Sequence, residues 1–260
     1  MIRTVTATRY VAPLREGGSL PAIVEADDGA LYVVKFRGAG QGPKVLIAEL
    51  ICGALAGALG LPQPPLVLCE LDEALGRNEP DEEIQDLLLA SAGLNLGLRF
   101  LLGAIGFEPL MVDAVAPDLA SNIVWFDAYT SNVDRTARNP NLLWWQRELW
   151  IIDNGAALYV HHLPGDFRAR AHSPFAPIKD HILLPVASEL AAADERLAPL
   201  VTPELIADIV RAIPQAWLEG PSSLAEPSDS RAAYAEYLGE RIAQPRLFVE
   251  EALRARASRV

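Results

Sequence analysis

Ile23-Val-Glu-Ala-Asp-Asp-Gly-Ala-Leu-Tyr-Val-Val-Lys-Phe36 consists of two apolar runs, Ile23 to Ala26 and Leu31 to Phe36, on either side of Asp27-Asp28-Gly29-Ala30. Asp-Gly tolerates the positive φ values of a tight turn, so its place between two apolar runs predicts a β-hairpin. Downstream, Val45, Ile47, Leu50, Ile51, Ala54, Leu55 and Ala58 recur at helical spacing between Lys44 and Leu59, and Gly60 then Pro62 supply a stop. Leu66 to Leu71 predicts a strand, Asp81 to Ala92 a helix opening on acidic residues, and Leu98 to Leu102 another strand. Beyond Ala104 the pattern turns helical, with helices expected near Pro117 to Thr130, Ile182 to Leu197, Pro203 to Trp217 and Ser230 to Arg256. Proline, glycine and serine gather between Glu219 and Ser228, which predicts a loop before the last helix. A β-rich first part followed by a helical second part is an α+β pattern in two lobes, residues 1–104 and 105–260, with a cleft between them as the natural ligand site.

Composition narrows the function classes. Of 260 residues, 51% are hydrophobic, enough for a sizeable core. With 34 acidic against 22 basic side chains the formal net charge is -12, which disfavours broad attraction to nucleic acid or anionic lipid. Cys52 and Cys69 each lie in an apolar stretch and read as buried thiols of a reducing compartment. Met1 to Tyr10 alternates Thr and Arg with apolar residues, unlike a secretory signal, and the longest apolar runs fall well short of the roughly 20 residues of a membrane span. The expectation is a cytoplasmic protein without a membrane span.

Phosphoryl transfer asks little covalent chemistry of a protein. It needs a cation for the phosphates, oxygen ligands for Mg²⁺ and a group that orients the attacking hydroxyl. Asn132-Val-Asp-Arg-Thr-Ala-Arg-Asn139 sets Asp134 and Asn139 five apart, the separation between base and Mg²⁺-binding Asn in a kinase catalytic loop, although such a pair also arises by chance. Leu149-Trp-Ile-Ile-Asp-Asn-Gly155 is an apolar strand ending in Asp-x-Gly, which would aim the hard Asp153 carboxylate at the ion. Asn154-Gly155 is equally a type I′ hairpin signal, and that alternative stays open here. Lys35 interrupts the Leu31–Phe36 run near its end, on the same face as Leu31 and Val33. An inward lysine needs a partner, because an unpaired buried ammonium is costly, and Glu49 on the following helix can supply one. Arg15-Glu-Gly17-Gly18-Ser19 could form a turn over phosphates, since paired glycines let backbone N–H groups approach an anion; it is equally a simple turn.

These stretches, in this order, resemble the HipA-like kinases: Tyr32-Val-Val-Lys-Phe36, Ala48-Glu-Leu50 leading to Leu59-Gly-Leu-Pro62, Asn132-Val-Asp-Arg135 with Asn139, and Ile151-Ile-Asp-Asn-Gly155. The resemblance runs from about Gly17 to His181, and the phosphatidylinositol kinases share its last two motifs in similar form. It implies a protein-kinase-like fold that uses ATP and Mg²⁺. Asp134 matches the catalytic Asp, Asn139 and Asp153 the Mg²⁺ ligands, Lys35 the ATP lysine and Glu49 its ion-pair partner. Two departures stand out. Thr136 occupies the position where many relatives have histidine after the Asp-Arg pair, and the chain is short for the extra N-terminal subdomain of full-length HipA toxins, which lowers the expectation of an antitoxin or DNA partner.

His161, His162, His172 and His181 have no carboxylate or cysteine at zinc-ligand spacing, and His181 is expected to line the cleft. Trp144, Trp145 and Trp150 read as core packing or an aromatic lid. Asp127, seven residues before Asp134, is expected to brace the catalytic loop by accepting backbone hydrogen bonds. The reading as a whole is an ATP-dependent phosphotransferase of serine/threonine type acting on a hydroxyl acceptor, taken to be on a protein. Its rivals are a nucleotide-binding pseudokinase or scaffold, and a lipid or small-molecule kinase.

Overall fold

The computed structural model describes residues 2–14, 20–40, 42–77, 79–219, 227–243 and 245–259. The expected turn at Gly17, Gly18 and Ser19, and most of the expected loop after Glu219, lie outside the described residues. Five strands close a barrel in the order β1 (Arg3–Pro13), β2 (Ala22–Ala26), β3 (Leu31–Lys35), β5 (Gly93–Arg99) and β4 (Leu66–Leu71). Strand β1 runs antiparallel to β2 and parallel to β4, which closes this sheet on itself. The β2–β3 pair is the hairpin of the opening stretch, in register Val24↔Tyr32 and Ala22↔Val34, with Gly29 at φ 74° in the turn. Alternation then sorts β3: Tyr32 and Val34 enter the barrel interior beside Val5, Val24, Val67 and Cys69. Leu31, Val33 and Lys35 take the other face.

Helix α1 (Pro43–Ala58) starts with proline at a position whose N–H would be unbonded anyway, and ends with Gly60 at φ 72°. There Leu61 N–H donates to the Ala56 carbonyl and Gly60 N–H to that of Gly57, a Schellman-type stop. Leu46, Leu50, Ile51 and Leu55 of α1 join the larger core made by the second lobe and not the barrel interior, which helix α2 (Glu82–Ala90) covers with Ile84 and Leu88. A short sheet follows, of β6 (Ile105–Gly106), β7 (Leu142–Trp145) and β8 (Glu148–Ile151). The rest is helical: α3 (Pro117–Thr130), α4 (Leu190–Leu197), α5 (Pro203–Arg211), α6 (Gln215–Leu218), α7 (Pro227–Ile242) and α8 (Leu247–Ala257). The fold is thus α+β in two lobes, a barrel followed by helices. Among the described residues, no helix is long and apolar enough to cross a membrane.

Several boundaries differ from expectation. The strand expected at Leu98 to Leu102 is β5, six residues of which precede Arg99. Its buried Asn95 hides the pattern: the side chain donates to the Ser91 and Gly93 carbonyls and accepts from Arg37 N–H. The helix expected from Ile182 is reduced to Leu190–Leu197 behind a 3₁₀ turn at Leu184–Val186. Those expected from Pro203 and Ser230 are each split in two, at Pro214 and around Pro245. Each split lies at a proline, which removes a helical N–H and clashes with the preceding turn.

Candidate active site

A cavity of about 700 Å³ opens between the lobes. Val33 of β3, Leu98 of β5, Leu101, Leu143 of β7 and Ile152 give it apolar walls. Lys35, Asn139, Asn141 and Asp153 supply polar groups to the same cavity. Lys35 is buried at the end of β3, and its ammonium is held between two carboxylates: it pairs with Glu49 of α1 and lies 2.6 Å from Asp153 Oδ1. Glu49 is fully buried, whereas the Asp153 side chain is 50% exposed. Burial works to lower the Lys35 pKa, but Glu49 and Asp153 outweigh it and hold the ammonium above its ordinary value. Burial likewise pushes Glu49 above the ordinary carboxylate range, against the pull of Lys35. For Asp153, burial is overcome by Lys35 and the carboxyl stays below that range.

The local fold aims these groups. Asp153 follows β8 at φ 52°, a left-handed conformation that turns the chain toward α1. Gly155 then passes so close to α1 that a Cβ there would lie 2.6 Å from Val45 Cγ1 and 3.3 Å from Glu49 Oε1. The hairpin alternative for Asn154-Gly155 is therefore not what forms. The type I′ turn is instead Gln146-Arg147, at φ 50° and 68°, joining β7 to β8.

Asp134 lies in the loop after α3. Its Oδ2 accepts from Asn139 Nδ2 at 2.7 Å and from Asn141 Nδ2 at 3.4 Å. Asn132 Oδ1 accepts the Asp134 N–H at 3.1 Å. The loop hangs from a rigid stem, because Arg241 of α7 donates to the Ala128 and Tyr129 carbonyls at the C-terminus of α3. Asp127, fully buried on that helix, braces the loop as expected but through side chains: Arg135 Nε at 2.5 Å, His181 Nε2 at 2.8 Å and Asn132 Nδ2 at 3.1 Å. Arg135 and His181 outweigh the effect of burial and hold the Asp127 carboxyl below its ordinary range.

His181 does not line the cleft. It is buried against Asp127, and Leu183 N–H donates to its Nδ1 at 3.0 Å, so Nε2 carries the proton and the ring is neutral. Trp145 is neither core nor lid: its Nε1 donates to the Leu102 carbonyl in the segment joining the lobes, and its ring meets Trp150 edge-on. Asn141, Arg135 and Asn154 were not singled out in the sequence for what they do here. Asn141 lines the cavity and bonds Asp134, while Asn154 Oδ1 accepts from Arg135 at 2.7 Å. Nothing local marks Asn141 and Asn154 beyond asparagine's general suitability for turns, and Arg135 is marked only as part of the Asp-Arg pair.

Burial pushes His181 below the ordinary histidine pKa of 6.5, and pushes His161 well below it. A lowered folded value means that the unfolded chain takes up protons first as pH falls. The stability these rings contribute is thus present above about pH 6.5 and lost below it, by up to about 1.4 kcal/mol per pH unit for each ring. Urea midpoints should fall between pH 7.5 and 5.5, and fall less for His181→Gln; an equal fall in the variant would clear His181 of any part in it.

A family model for HipA-like kinases matches residues 8–249. No curated protein matches the chain. Among solved structures, the proinflammatory kinase CtkA of Helicobacter pylori aligns with a TM-score of 0.59 at 14% identity, covering 96% of this chain and 99% of that one. The Golgi casein kinase aligns at 0.45 and 12% identity, covering 99% of this chain and 72% of that one. At such identity the likeness to CtkA is one of fold, and that fold is protein-kinase-like.

Proposed function

The chain belongs to the HipA-like kinase family, and we propose that it transfers the γ-phosphate of ATP to a hydroxyl of an acceptor protein, as a serine/threonine-type kinase. In this reading residues 1–104 form the nucleotide-binding lobe and residues 105–260 the lobe that carries the catalytic and metal loops. The observation that carries it is the charged cluster of Lys35, Glu49 and Asp153, which sits on the same apolar-walled cavity as Asn139, itself bonded to Asp134. The cavity's apolar walls suit a nucleobase, and Lys35, oriented by Glu49, suits the α- and β-phosphates. Asp134 orients and deprotonates the acceptor hydroxyl. Gly17, Gly18 and Ser19 are assigned to the phosphate-covering turn from sequence.

Mg²⁺ fits the donor set. Asn139 and Asp153 face one cavity, and Asn139 Nδ2 is spent on Asp134, which leaves its Oδ1 for an ion. One amide oxygen and one carboxylate match a cation that keeps several waters and takes its remaining ligands from phosphates. When bound, Mg²⁺ would neutralise charge on the phosphate oxygens. A cytoplasmic location accords with Cys52 and Cys69, buried free thiols in two separate cores. A net charge of -12 weighs against nucleic acid and anionic membranes as partners.

Wild-type and Asp134→Asn chains incubated with γ-labelled ATP and cell extract test the proposal. Label is expected in a protein band with the wild type only. Label in the lipid or small-molecule fraction would change the acceptor class, and ATP binding without hydrolysis or transfer would mark a scaffold.

A further inference from the structure

Arg135 is buried, and all five of its guanidinium N–H donors have acceptors. Nε and one Nη2 hydrogen go to the two oxygens of Asp127, and the other Nη2 hydrogen to Asn154 Oδ1. Nη1 donates to the Asn141 carbonyl and, at 3.1 Å, to the Ile152 carbonyl. The positions of these acceptors matter more than their number. Ile152 and Asn154 flank Asp153 on either side, and Asn141 lies two residues after Asn139. One planar group therefore spans the two loops that carry the proposed Mg²⁺ ligands.

Asp127 is just as fully used. Its Oδ1 accepts from Asn132 and Arg135, and its Oδ2 from Arg135 and His181. His181 is zipped to the catalytic loop by a bridge to Thr136, and Ile182 N–H donates to the Arg135 carbonyl at 3.1 Å. Resting on the kinase reading above, we propose that Arg135 is the positioning residue that sets the separation of Asn139 and Asp153, with Asp127 and His181 fixing the plane of its guanidinium. A role in core stability alone would not require this fan of acceptors, since a buried ion pair generally adds little over apolar residues of the same volume. Lysine keeps the charge but offers three donors from one point and cannot reach both loops at once.

The test is calorimetric titration of ATP into the full chain over a series of Mg²⁺ concentrations, with thermal unfolding followed in parallel. In Arg135→Lys the Mg²⁺ needed for half of the gain in ATP affinity should rise about tenfold or more, the usual consequence of losing a group that orients metal ligands. ATP affinity without Mg²⁺ should change less than the Mg²⁺ requirement does, because the Lys35–Glu49 pair has no bond to Arg135. His181→Leu should show a smaller rise, and His181→Gln, whose amide can still donate to Asp127, should restore the wild-type requirement. Should Arg135→Lys not fold, Asn154→Ala replaces it with the same expected rise, as it deletes one acceptor beside Asp153. A wild-type chain whose ATP affinity ignores Mg²⁺ overturns the kinase reading and this inference with it. A Mg²⁺-dependent wild type beside a folded Arg135→Lys or Asn154→Ala chain with the same Mg²⁺ requirement overturns the inference alone.

Discussion

Asp134→Asn is expected to lower kcat by about two to four orders of magnitude, the usual contribution of a positioned general base, while ATP still binds. Asparagine has the same shape, and its amide oxygen can still accept from Asn139 Nδ2, the 2.7 Å bond that orders the loop. What it loses is the carboxylate's charge and its ability to take the hydroxyl proton, both of which act in the transition state. KM for ATP should therefore stay within a few-fold, and the loss should fall on kcat. Single-turnover assays with equilibrium ATP binding measured alongside would check this. Turnover at the wild-type rate would remove Asp134 from the chemistry, and loss of ATP binding would show that the residue supports the cavity instead.

Asp153→Ala should have an effect of similar or greater size, of a different kind. Asp153 is the one charged ligand proposed for Mg²⁺, and Asn139 alone offers a single neutral oxygen. The variant should lose the dependence of ATP affinity on Mg²⁺, and turnover should drop by about three orders of magnitude or more. The fold should persist, because Asp153 is half-exposed and the buried Lys35–Glu49 pair remains intact without it. Asp153 here also occupies Lys35, at 2.6 Å, so a metal that recruits the carboxylate must compete with the ammonium. Its removal frees Lys35, and metal-free ATP should bind at least as well as it does to the wild type. Calorimetry with and without Mg²⁺ reads both effects. If the variant retains Mg²⁺-dependent ATP binding, Asp153 is not a ligand.

The elements legible in the sequence were those whose cause is local. The β2–β3 hairpin follows from Asp-Gly between apolar runs, α1 from its apolar spacing and glycine stop, and α3 from Pro117 to Thr130 from the same kind of pattern. Prolines inside otherwise helical spacing interrupt the helices that the apolar pattern alone predicts, at Pro214 and around Pro245, by removing an N–H. The β7–β8 turn was illegible because Gln146 and Arg147 are poor candidates for positive φ, whereas Asn154-Gly155 is a good one. There tertiary contact overrode propensity: Gly155 is needed where the chain crosses α1.

The sequence by itself determined that a lysine ending one strand, a glutamate on the next helix, and two Asp-containing loops occur in kinase order, because each sits in a short motif with its own signature. Only the tertiary structure decided that Lys35 is shared between Glu49 and Asp153, that His181 turns inward to Asp127, and that Arg135 joins both loops. Those partners come from β3, α1, α3, the loop before β7, the turn after β8 and a segment some fifty residues beyond α3. Hydrogen bonds among them exist only once the core has brought the segments together, and burial then makes every unpaired donor or acceptor costly. No window of sequence contains that requirement.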